Sequence, residues 1–140
     1  MRDRLLTAVA VGLVAAWMFA VQSPTQAAGD IEAGAKIFRK CQACHTLEPG
    51  KTRVGPSLYG VIGRPAGSVP GYNYSPALKA AGEKGLVWSK DTVARWVGDP
   101  NAFLEDYLGD QAARPRMTFR LRDKKERRQV AAFLNDQAHP

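Results

Sequence analysis

RKCQACHTLEPG, residues 39–50, holds both cysteines of this 140-residue chain and one of its two histidines. The spacing Cys41-x-x-Cys44-His45 is the pattern in which two thiols add across porphyrin vinyl groups while the adjacent imidazole ligates the iron. Three other readings compete with it. A zinc ribbon would need two more thiolate or imidazole ligands, and only His139 remains. A thioredoxin-like redox pair expects a surrounding βαβ pattern, which the chain lacks. A structural disulfide would not require His45 directly after the second thiol. The stretch therefore predicts one haem c bound through Cys41 and Cys44, with His45 on the iron.

Working outward, the residues before the motif, DIEAGAKIFRKC, space Ile31, Ala35, Phe38 and Cys41 by three and four, which predicts an amphipathic helix with Asp30 placed as its cap. After the motif, residues 48–76 are rich in Gly and Pro without sustained period, and read as loops. So long an irregular segment suits a compact domain only if it wraps a large cofactor. Short helices are expected at about 76–81, at 90–97 with Ser89 as cap, and at 101–108, Pro100 separating the last two. A final helix should start at Asp123, with Glu126 three residues on, and present Val130, Phe133 and Leu134 on one face. Gly34 and the bulky Phe133 suggest a close crossing of the first and last helices. The fold class is all-α, short helices and loops around one haem.

The N-terminal segment reads separately. Arg2 and Arg4 precede an uncharged run from Leu5 to Val21, followed by polar QSPTQAAGD. That is the layout of an export signal, with cleavage expected before Ala28. Seventeen residues also stand at the low edge of a membrane span, so an uncleaved anchor formed by residues 5–21 is the alternative. The domains are thus 1–27, signal or anchor, and 28–140, the haem domain. Either outcome puts that domain outside the cytoplasm, in the periplasm or at the periplasmic face of the inner membrane.

The formal charge of +7 is concentrated near the C-terminus, where residues 114–128 hold eight Arg or Lys against Asp123 and Glu126. Such a run is a solvated helix face or a docking patch for an acidic partner. An exported chain without a nucleic-acid-binding motif argues against nucleic acid. For the second axial position of the iron the candidates are Met117, the one methionine after residue 27, the near-terminal His139, or an open site.

The chain resembles the class I cytochromes c, specifically the large-loop bacterial relatives of the mitochondrial protein. The resemblance runs from about Gly29 to Asp136 and is carried by GDIEAGAKIF, CQACHT, VGPSLYGVIGR, GYNYSPAL, LVW, DP and RMTF. It implies the class I cytochrome c fold, with His45 and Met117 as axial ligands. It further implies that the Pro56 carbonyl accepts a hydrogen bond from the His45 ring, that Arg64, Tyr74 and Trp88 approach the haem propionates, and that Phe119 shields the haem near Met117. Residues 113–117, ARPRM, depart from the family's Pro-Gly-Thr-Lys-Met, the segment from Pro100 to Met117 is longer than in the mitochondrial type, and Leu78 replaces a common polar residue.

The function this implies is one-electron transfer by a monomeric carrier rather than catalysis. Its partners would be acidic redox proteins docking around Arg114 to Arg128: a quinol:cytochrome c reductase, and a terminal oxidase or reaction centre. A peroxidase or gas-binding protein with an open sixth site is the competing class, supported only by the altered approach to Met117.

Overall fold

A computed structural model describes residues 23–137, so the apolar run Leu5–Val21 and His139 lie outside the described residues. Five helices succeed one another: α1 (Pro24–Phe38), α2 (Pro76–Glu83), α3 (Lys90–Trp96), α4 (Pro100–Leu108) and α5 (Lys124–Asp136). Among the described residues the only strand-like pairing is an isolated bridge between Pro65 and Val87. The chain is all-α, as its sequence predicts. No helix among the described residues is long and apolar enough to cross a membrane.

Helices of seven to nine residues are marginal on propensity alone and need their ends satisfied. Ser75 caps α2 by accepting from the Leu78 N–H, and Asp99 caps α4 by accepting from the Ala102 N–H. Ser89 and Thr92 cap α3 reciprocally. Asp123 caps α5 at the Glu126 N–H (2.8 Å), but the Glu126 carboxylate turns away to Lys40 on the segment after α1.

Two boundaries differ from the sequence reading. Pro100 does not separate two helices but opens α4, where its missing N–H would have had no partner anyway. α1 begins at Pro24 rather than after Asp30, because a proline suited to the first turn is followed by helix-forming alanines, and the helix tolerates the poor helix former Gly29. The cleavage point expected before Ala28 therefore falls inside the described helix, in a stretch whose residues 24–29 are all exposed. Asp30 serves instead as a tie between helices, accepting from Gln129 Nε2 of α5 at 3.0 Å. That bond holds its carboxyl below the usual range.

α5 packs across both α1 and α3, while α2 rests on α4. The α1–α5 crossing is centred on Gly34, which is buried. A Cβ built there would fall onto the Gln129 carbonyl and lie 2.7 Å from the Phe133 Cβ, so only glycine lets the helices approach this closely. One turn further, the Phe38 and Phe133 rings meet with centroids 5.3 Å apart. Val130 and Leu134 are buried as expected, and Phe133 is partly buried at the edge of the core.

The long segment between α1 and α2 is fastened to residues 86–88 through its backbone. The Gly63 N–H donates to the Trp88 carbonyl (2.7 Å), the Trp88 N–H to the Arg64 carbonyl (3.0 Å), and the Ala66 N–H to the Leu86 carbonyl (2.8 Å). The loop is thus tethered without forming a sheet. The crossing yields a paired prediction for urea unfolding of the haem-loaded protein: Gly34→Ala should cost about 1–3 kcal/mol by overpacking. Gly29→Ala, in the same helix but with nothing near its Cβ, should be neutral or gain up to about 1 kcal/mol.

Candidate haem-attachment site

α1 runs on into a tight turn that carries the attachment motif. The Cys41 N–H donates to the Phe38 carbonyl (2.8 Å), and the Cys41 carbonyl then accepts from the N–H groups of Cys44 (3.0 Å) and His45 (2.9 Å). The two thiols and the imidazole are therefore fixed relative to a helix that is itself clamped by α5. Cys41 packs against the core and Cys44 is exposed. Burial pushes the Cys41 thiol up to about 11. A thioredoxin-like pair sits on a βαβ unit, and the described residues form five helices and no strand, so the surroundings disfavour that reading.

His45 is held on two sides. Its Nδ1 lies 2.8 Å from the Pro56 carbonyl oxygen, and since a carbonyl can only accept, Nδ1 carries the proton. The lone pair is then on Nε2, the tautomer a metal requires. Burial lowers the pKa of His45, outweighing the Pro56 bond, which favours the neutral ring. Its flat face rests on Gly55, where an added Cβ would lie 2.6 Å from Nδ1 and 2.9 Å from Nε2. The Gly55 N–H donates to the Cys44 carbonyl (2.7 Å), which locks this seat to the motif. A neutral imidazole presented through Nε2 beside two unpaired thiols fits a haem c.

Met117 is partly buried against the core, and its Sδ accepts a hydrogen bond from Trp96 Nε1 at 3.3 Å. Trp96 belongs to an aromatic cluster, 5.4 Å from the Trp88 ring and 5.8 Å from Phe103. Trp88 and Tyr74 are both buried at 8% exposure. The Tyr74 hydroxyl oxygen accepts from the Val69 N–H (3.4 Å). Arg64 is only partly buried and spends its guanidinium on the carbonyls of Ser57 (2.9 Å) and Tyr59 (3.2 Å). Phe119 is 39% exposed, among the few large apolar side chains facing outward.

Of the residues singled out by sequence, Cys41, Cys44, His45 and Pro56 form one unit, and Met117 and Trp88 meet through Trp96. Sequence reasoning passed over Gly55 and Trp96. Gly55 had a signal in VGP but not a role, since its task is to be absent beneath a ring. Trp96 reads in sequence as an ordinary core residue of α3.

No family model matches the chain. It is 45% identical over 111 residues to a cytochrome c2 of Rhodopseudomonas palustris, covering 75% of this chain and 96% of the relative. It is 43% identical to a cytochrome c-550 of Novispirillum itersonii, over 76% of this chain and 96% of that one. The solved structure of cytochrome c2 from Rhodospirillum centenum superposes with a TM-score of 0.73 at 43% identity, covering 77% of this chain and 98% of that chain.

The seat of the imidazole generates a test. Gly55→Ala should tilt His45 away from the Pro56 carbonyl and weaken its hold on iron. In the ferric haem-loaded variant a high-spin band should appear at neutral pH, with helix content by circular dichroism unchanged.

Proposed function

The chain belongs to the class I cytochromes c and carries haem c as an electron carrier; from that premise we propose that His45 and Met117 are its axial ligands and that it shuttles single electrons between membrane-bound complexes. The bound haem supplies a one-electron ferric/ferrous couple. What the chain contributes is a pair of prepositioned donors. Pro56 fixes the imidazole tautomer and raises its basicity, while the Trp96 N–H holds the thioether. A thioether sulphur has two lone pairs, so accepting from Trp96 leaves one for iron. The fixed Met117 sulphur is the observation that carries this reading. A soft sulphur ligand in an apolar setting favours the ferrous state and raises the potential, and donors held in both states keep reorganisation small.

Around this pair, Arg64, Tyr74 and Trp88 are read as the group that neutralises or hydrogen-bonds the propionates, supported by the burial of Tyr74 and Trp88 and by the backbone ties between Arg64 and Trp88. Phe119 covers the approach to Met117 from outside.

The docking surface follows from which cations are already engaged. Arg114 is paired with Glu105 (2.7 Å), Arg120 with Asp99 (3.2 Å), and Arg127 is committed to backbone carbonyls. Among the described residues Arg116, Arg122, Lys124, Lys125 and Arg128 have no carboxylate partner within 4 Å. Arg122 and Lys125 line one groove with the exposed Phe119, so an apolar spot lies beside free positive charge, suited to acidic partners such as a quinol:cytochrome c reductase and a terminal oxidase or reaction centre. The export-signal layout of residues 1–27 supports a periplasmic place of work.

Two measurements test this. The visible spectrum of the ferrous protein should not change on adding carbon monoxide, whereas Met117→Ala should bind it at once; uptake by the wild type would favour the peroxidase or gas-binding class. Reduction by an acidic redox partner should slow roughly tenfold or more between about 0.01 and 0.5 M salt. A rate indifferent to salt would refute the docking surface.

A further inference from the structure

We propose that Arg127 is a positioning residue for Met117, working through a latch in which the end of α3 grips the strap that carries the sulphur. The proposal rests on the reading of Met117 as an iron ligand. Among the described residues, no backbone–backbone hydrogen bond holds residues 114–120. The place of Met117 is therefore set by the ends of the strap and by its own side chain.

Three consecutive residues at the end of α3 meet the strap in three ways. Trp96 donates to the Met117 sulphur. The Val97 carbonyl accepts from the Leu121 N–H at 2.7 Å. Gly98 is buried and bare, and the Arg127 guanidinium lies over it: a Cβ at Gly98 would come 2.5 Å from Cζ and 2.9 Å from Nε. From that seat Arg127 donates through Nε to the Leu121 carbonyl and through Nη2 to the Arg122 carbonyl (2.9 Å). Leu121 thus has its N–H bound to α3, its carbonyl bound to α5 and its side chain in the core at 5% exposure.

An arginine suits this task better than any other side chain. Its planar fork fits the flat space that Gly98 leaves and reaches two successive carbonyls, and its charge strengthens both bonds without ever being lost to titration. A lysine would keep the charge and lose the geometry. Removing the fork frees the strap four residues from Met117 while leaving the rest of α5 packed, so the sulphur should leave its place more often.

The experiment compares the wild type, Arg127→Lys and, as control, Arg39→Lys at an exposed position after α1, all haem-loaded. Carbon monoxide uptake by the ferrous protein and amide hydrogen exchange at Leu121 and at the core residue Leu104 are followed. In Arg127→Lys, carbon monoxide should enter about tenfold faster and Leu121 exchange about tenfold faster, with Leu104 unchanged. Arg39→Lys should match the wild type. If Leu121 and Leu104 accelerate together, Arg127 supports only global stability and the latch is overturned. If the wild type resists carbon monoxide and Arg127→Lys does so equally, the latch fails while Met117 ligation stands. If the wild type takes up carbon monoxide freely, the ligand reading fails and this proposal falls with it.

Discussion

Both halves of the proposed haem site hang on the close approach of α1 and α5 at Gly34. α1 passes directly into the turn that holds Cys41, Cys44 and His45, while α5 supplies Arg127 and backs α3, which holds Met117. Pushing the two helices apart by the width of a methyl group would displace the thiols and the sulphur relative to each other. The same crossing is reinforced at its margins, by Gln129 on Asp30 and by the exposed pair of Lys40 with Glu126 (3.1 Å). The second is worth little by itself, being solvent-screened, so steric fit rather than charge sets the helix spacing.

The site contrasts two ways of holding a ligand. His45 is gripped by backbone on both sides, a carbonyl at its edge and a glycine beneath its face, neither of which can change rotamer. Met117 sits in a strap without backbone bonds and is located by an indole N–H.

The sequence made the chemistry legible before the architecture. A five-residue motif named the cofactor, because thiols and imidazole at that spacing have few other uses, and capping residues Ser89 and Asp123 located two helix starts. The start of α1 was misread because Asp30 looks like a cap, yet Gly29, although a poor helix former, does not stop the helix from extending backwards to Pro24. Pro100 was misread as a break although proline is equally at home in a first turn. Gly55, Gly98 and Trp96 stayed silent for a different reason. Their roles are relations between distant segments, and a residue that matters by leaving room has no signature until the neighbour that fills the room is known.

The pairing of first and last helices also governs when the fold can close. Asp30 and Gln129 are 99 positions apart, so the helix crossing that they border is a contact of high sequence separation. A partly synthesised chain has no α5 to cover Gly34 and Phe38, and its helices are too short to persist without that cover. The turn at residues 41–45 follows α1 directly, so the thirteen-residue α5 completes the cover over the helix that leads into it.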